Sequence, residues 1–168
     1  YALRLSNDVT AEKVRLLGCC IPHHVQMFFD HVKSYCLRRK TSELTLDEVR
    51  GVYESEMLST RGHAELAHYE ERLKLVLGAE RMALALDMLT EAAVTGCLGS
   101  EAIKAFRGEY DIEGEPTEQA QKEILWLLEH DGYLNQTAGG YVFVSALLRD
   151  WWKNRYQMFF TPVRQRRS

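Results

Sequence analysis

Proline is scarce in this chain, three residues in 168, and glycine adds only eleven. That total excludes collagen-like and low-complexity chains, which need far more of both. Cysteine is also sparse: Cys19, Cys20, Cys36 and Cys97 include no Cys-x-x-Cys pair. With no secretory context either, reduced core thiols in a cytoplasmic protein are the plain expectation. No apolar run approaches the roughly 18 residues needed to span a bilayer. The opening Tyr1-Ala2-Leu3-Arg4-Leu5 has neither the basic nor the apolar region of a signal peptide. It has no initiator Met, as expected of a piece of a longer polypeptide. None of the eleven glycines is followed by Lys. A phosphate-binding loop needs Gly residues whose backbone N–H groups wrap the phosphates, then Lys and Ser or Thr. Nucleotide hydrolysis by this chain alone is therefore not expected, and neither is any self-sufficient enzyme activity.

What is present suits one larger domain or two small ones: 46% hydrophobic residues for a core and 27% charged residues for a surface. The net charge of −3 is unevenly spread. Residues 146–168 carry +5 and the remainder −8. An acidic body with a basic end places any polyanion contact at the C-terminus.

The first half reads as a helical bundle. Ala11 to Leu17 predicts a short helix capped by Thr10. Pro22 sits where a first helical residue is tolerated, since its missing N–H would be unpaired anyway. Val25, Phe28, Phe29, Val32 and Cys36 then recur at helical spacing to about Arg39. Thr45-Leu46-Asp47-Glu48 fits a capping box opening a helix whose Leu46, Val49, Tyr53 and Met57 face inward. Ala64 to Leu77 follows, closed by Gly78.

The second half changes period. Glu80 to Val94 reads as a helix with Met82, Leu86, Leu89 and Ala93 inward. A short helix after Ser100 is anchored by Ile103 and Phe106. Pro116 opens a third, with Ala120, Ile124, Leu127 and Leu128 inward, stopped at Asp131-Gly132. Tyr133-Leu134-Asn135 and Tyr141-Val142-Phe143-Val144 are short strands joined through paired glycines, a hairpin signal. A last helix carries Leu147, Leu148, Trp151, Trp152 and Tyr156. Three helices, a hairpin and a closing helix make a winged-helix layout. The expected fold is mainly α: a helical bundle over 1–78, a winged-helix domain over 79–160 and a basic tail over 161–168.

Leu17-Gly18-Cys19-Cys20-Ile21-Pro22-His23-His24-Val25-Gln26-Met27-Phe28-Phe29 resembles the stretch opening the helical lid of a prokaryotic family of AAA+/STAND-like P-loop ATPases, related to archaeal and origin-recognition-type ATPases. Ser59-Thr60-Arg61-Gly62-His63, Tyr69-Glu70-Glu71-Arg72-Leu73, Leu128-Glu129-His130-Asp131-Gly132-Tyr133-Leu134 and Leu147-Leu148-Arg149-Asp150-Trp151-Trp152 resemble the same family's C-terminal region, in the same order. The resemblance implies a P-loop core, a lid and a winged helix, of which the last two are here. ATP and Mg²⁺ are then implied for the parent protein, with no cofactor in this piece. Pro22, His23, His24 and Gln26 become nucleotide-facing candidates of a sensor-2-like element, at a helix N-terminus suited to an anion. The usual sensor-2 Arg has no counterpart, because no Arg lies between Gly18 and His31. The plainer reading is a helix start with two surface histidines.

Other chemistry finds little support. Cys20, His24 and His31 share helical spacing, but Pro22 places Cys20 outside the helix and no fourth ligand is evident for a metal. No nucleophile has a base, an orienting carboxylate and an oxyanion donor specified around it. DNA binding is the competing function class. A winged helix inserts its third helix into the major groove, yet Thr117 to His130 sums to −2. Phosphate contacts dominate nucleic-acid affinity, so this is a handicap. Gln119, Gln121 and Lys122 are that helix's candidate DNA or partner contacts. Lys153, Arg155, Arg164, Arg166 and Arg167 are those of the basic end. The partners expected are the upstream ATPase domain of the same polypeptide and a further protein, with duplex DNA as the alternative and no membrane.

Overall fold

A computed structural model describes residues 5–166. Among them lie seven helices and one two-stranded antiparallel sheet, so the chain is mainly helical. No helix of the described residues is long and apolar enough to cross a membrane. The chain divides into two compact units. Among the described residues the first is 5–66 with 145–147, and the second is 67–144 with 148–166.

In the first unit, α1 (Asn7–Leu17) is capped by Ser6, whose hydroxyl accepts the Val9 N–H at 3.2 Å. Thr10 lies inside the first turn and donates its hydroxyl to the Ser6 carbonyl. The cap thus falls four residues earlier than the apolar pattern indicates, because only Ser6 has the extended backbone a cap requires. Gly18 ends α1 in the left-handed region at φ 71°. A Cβ there would lie 2.6 Å from the Cβ and 2.9 Å from the N of Ala146, so only glycine fits. Helix α2 (Pro22–Arg39) begins at the proline, as expected, and buries His24, Met27, Phe28, Val32 and Cys36. The capping box of α3 (Leu46–Val52) is formed, with Thr45 and Glu48 each satisfying the other's backbone N–H. The helix expected to run on to Met57 instead widens into a π-helical turn over Tyr53–Met57.

Glu12 ties α1 to α3. Its carboxylate accepts hydrogen bonds from Arg15 at 2.7 and 2.8 Å and from Arg50 at 2.8 Å. Those bonds pull its carboxyl down to about 2. Lys13 beside it is buried without a carboxylate, its ammonium 5.5 Å and 5.3 Å from the Phe28 and Phe29 rings.

Helix α4 (Thr60–Thr95) begins in the first unit and ends in the second, interrupted at Gly78 (φ 70°, ψ 176°). Gly78 thus breaks the helix where the sequence indicates, whereas the compact units divide between Leu66 and Ala67. In the second unit follow α5 (Ser100–Glu109), α6 (Thr117–His130), β1 (Leu134–Thr137) and β2 (Gly140–Phe143), while α7 (Ala146–Tyr156) begins in the first unit and continues in the second. Strand β1 pairs with β2 from Leu134↔Phe143 to Thr137↔Gly140. Leu98 adds one bridge on the other side of β2, exchanging both backbone hydrogen bonds with Tyr141 at 2.8 and 3.0 Å. Met88, Leu89, Phe106, Ile124, Leu128, Tyr133 and Trp152 are fully enclosed. Both tandem tryptophans are buried, and Trp152 packs against Phe143, Trp151 and Tyr156. Each such ring contributes roughly 2–3 kcal/mol by burial.

Beyond α7 the chain forms two 3-10 turns, Gln157–Phe159 and Val163–Gln165. The Val163 N–H donates to Glu91 at 3.0 Å, anchoring the segment on α4.

Candidate functional site

In the first unit the α2 N-terminus carries four of the residues singled out by sequence. Pro22, His23 and Gln26 are exposed on its outer side. The Gln26 amide donates to both oxygens of Asp30 at 3.1 Å. His24 points the other way. It is fully buried, and its Nδ1 lies 3.1 Å from the hydroxyl of Ser145, which opens α7. As a nucleotide-facing group His24 is therefore displaced by one residue of helical phase. Met27 and Phe28 follow it at three and four residues, on the core side, while Gln26 follows His23 at three on the outer side. Periodicity carries that signal, and the doubled histidine obscures it.

In the second unit α6 presents Glu118, Gln119, Lys122, Glu123, Trp126 and His130 outward. Gln121 is not among them. It is buried, its amide donating to the Ile103 carbonyl at 2.7 Å and its side-chain oxygen accepting from Arg107 at 3.4 Å. Its polar atoms hold α5 to α6 and are withdrawn from any groove contact. Lys122 pairs with Glu118 at 3.0 Å, and Arg107 reaches the same carboxylate at 3.2 Å. The Lys122 hydrogen bond, backed by Arg107, keeps the Glu118 carboxyl below its ordinary range. Gln119 donates to Glu123 at 2.7 Å, and Arg81 pairs with Glu123 at 3.0 Å.

Sequence reasoning passed over Trp126, which is 66% exposed with the His130 imidazole edge-on at 5.0 Å. Position 126 falls midway between the buried Ile124 and Leu128, so the helical period does place it outward.

The remaining cations are largely engaged. Arg155 binds Glu70 at 2.8 Å and lies over the Trp151 and Tyr156 rings. Arg164 pairs with Glu101 at 3.4 Å. Arg166 lies 3.8 Å from Asp87, makes a closer contact with Glu109, and stacks over Phe106 and Phe160 at 5.1 and 5.2 Å. Lys153 has no ion-pair partner among the described residues. Arg167 lies outside them. The hairpin turn, Ala138-Gly139, carries no cation.

Glu70 is 4% exposed and joins Lys74, Arg155 and Tyr156. Burial pushes its carboxyl up, but hydrogen bonds from Lys74 and Tyr156 and the Arg155 charge outweigh that and leave it lowered. Among the described residues no cluster of three His, Cys, Asp or Glu side chains is arranged to hold a metal ion.

No protein family, no curated protein and no solved structure matches this chain.

Proposed function

We propose that this chain is the regulatory C-terminal region of an AAA+/STAND-like P-loop ATPase. A helical lid over 1–78 leads into a winged helix over 79–160, and the winged helix docks on the ATPase core or a protein partner in the cytoplasm. The order helix, Leu98 bridge, α5, α6, hairpin, α7 supports the winged-helix reading, since Leu98 occupies the place of that fold's first strand against β2. The exposed Pro22, His23 and Gln26 at the start of α2 support a nucleotide-facing lid, because a helix N-terminus attracts anions. ATP and Mg²⁺ belong, on this reading, to the parent's P-loop core, and this piece hydrolyses nothing by itself.

The observation that favours protein docking over DNA is the state of the cations. Lys122, Arg155, Arg164 and Arg166 each already face a carboxylate of the second unit. Binding a phosphate backbone derives its strength from releasing counterions held by the nucleic acid. Cations already neutralised by neighbouring carboxylates contribute little to that release. The DNA reading keeps one specific support, the unpaired Lys153 in the basic end.

Two measurements test this. Titrating the chain with a fluorescent duplex at physiological salt is expected to give only non-specific affinity, about 10⁻⁴ to 10⁻⁶ M. Tight, steeply salt-dependent binding that is lost in Lys122→Ala or Lys153→Ala would overturn it in favour of DNA. Sequencing the reading frame upstream of the Tyr1 codon is expected to reveal a strand, a Gly-rich loop ending in Gly-Lys-Ser or Gly-Lys-Thr, and a helix. A start codon immediately before Tyr1 would remove the ATPase assignment.

A further inference from the structure

A cavity of about 370 Å³ opens in the second unit, lined among others by Glu91, Thr95, Cys97, Ser100, Gly139 and Arg164. The lid reading makes no use of it, and the DNA reading meets it only at Arg164. Its size lies near the lower end of small-ligand pockets, which start at about 300 Å³.

Glu91 is the unusual member. It is 3% exposed, yet its carboxylate has a single hydrogen bond, from the Val163 N–H to Oε2. Oε1 has no hydrogen-bond or ion-pair partner among the described residues. A nearly enclosed carboxylate normally finds a cation or several donors, and Glu91 has one neutral donor. The neighbouring polar groups are committed elsewhere. The Thr95 hydroxyl donates to backbone carbonyls, of Glu91 or Cys97, and the Cys97 thiol to the Gly139 carbonyl. Arg164 is turned to Glu101. The cavity therefore holds an acidic group with an open oxygen and no positive partner.

Elsewhere on the lining lies the start of α5, a ten-residue helix with Gly99 as its cap and no side chain closing it. Its first-turn N–H groups, at Ser100, Glu101 and Ala102, are therefore not satisfied by a side-chain cap. Such a terminus favours an anion. A plain anion would meet the Glu91 charge, and a plain amine would leave the α5 donors unsatisfied. A molecule with both charges satisfies both ends.

The geometry points to a binding site for a small zwitterion of the α-amino-acid class, its ammonium on Glu91 Oε1 and its carboxylate on the first-turn N–H groups of α5. The exposed Arg164–Glu101 pair belongs to the same lining. This site is independent of the proposed function, and its failure would leave that reading untouched.

The test is an NMR titration of the ¹⁵N-labelled full chain with glycine, L-serine, L-leucine, L-glutamate, L-lysine and L-phenylalanine, one at a time. Ethylamine and acetate serve as single-charge controls. At least one amino acid is expected to shift the Ser100, Glu101 and Ala102 amides saturably, with a Kd at least about ten-fold below either control. Glu91→Gln is expected to weaken that binding by about ten-fold or more. Ser100→Pro keeps the helix, because proline is tolerated at its first position, and removes one donor, so binding falls several-fold. That second variant stands if Glu91→Gln does not fold. The site is overturned if none of the six gives a saturable shift at tens of millimolar. Ethylamine binding as tightly as the amino acids would overturn it, leaving Glu91 as a bare cation contact. So would acetate binding as tightly with Glu91→Gln without effect, leaving only a helix terminus.

Discussion

Replacing Gly140 by alanine is expected to destabilise the second unit by about 3–5 kcal/mol. Gly140 opens β2 at φ 133°, a conformation open in practice only to glycine, and forcing alanine there costs about 1–3 kcal/mol. A Cβ at this position would lie 2.3 Å from the Leu98 carbonyl oxygen and 2.9 Å from its carbon. Backbone atoms cannot swing aside as a side-chain tip can, so the Leu98–Tyr141 bridge must open. Its two hydrogen bonds, at 2.8 and 3.0 Å, are worth about 1 kcal/mol each. Gly96 is the internal control: its φ is also positive, at 88°, but a Cβ meets nothing within 4 Å, so Gly96→Ala bears backbone strain alone, about 1–2 kcal/mol. Urea denaturation gives the two stabilities, and hydrogen exchange at the Tyr141 amide reports the bridge. If Gly140→Ala falls within 1 kcal/mol of Gly96→Ala and Tyr141 stays protected, the close approach of Leu98 to β2 is refuted.

Two further outcomes rest on buried charges. Glu70→Gln should cost about 1–2 kcal/mol at neutral pH, as three partners of a nearly enclosed carboxylate lose its charge while Arg155 can still turn to water. Because the folded carboxyl is lowered, its stabilisation is present above the unfolded carboxyl pKa and lost as pH falls through the folded one. Acid titration of melting temperature should therefore be shallower in Glu70→Gln than in the parent chain, and parallel curves would contradict the assignment. Lys13→Met should be neutral to stabilising, by up to about 1 kcal/mol, since it replaces a buried ammonium without a carboxylate by an apolar chain of similar length. Burial lowers the Lys13 amine, so the gain should shrink as pH rises through its folded pKa toward the unfolded one. A loss above about 1 kcal/mol would show that the Phe28 and Phe29 rings hold the cation better than this reasoning allows.

Local rules written in the chain were legible wherever the deciding atoms lie within a few residues. Pro22 at the first position of α2, the Thr45–Glu48 capping box, the break at Gly78, the stop at Gly132 and the hairpin through Gly139-Gly140 all appear where the sequence places them. The residues of the candidate sites were less legible. His24 and Gln121 were singled out by residue type, and both are buried polar groups whose partners, Ser145 and Ile103, lie 121 and 18 residues away. Trp126 was passed over although the period already turned it outward.

Composition and periodicity by themselves determined a mainly helical chain with one small hairpin, and charge counting determined that its basic residues gather at the end. Those properties depend on backbone geometry and on which side chains recur at a fixed spacing. Only the tertiary structure decided whether the basic residues remain free. Arg155, Arg164 and Arg166 meet Glu70, Glu101 and Asp87, acids from α4 and α5 that the sequence separates from them by 63 to 85 residues. It likewise decided that Glu91 would be enclosed beside the start of α5. An ion pair or a cavity forms from whatever the fold brings within a few ångströms, and that distance bears no relation to separation along the chain.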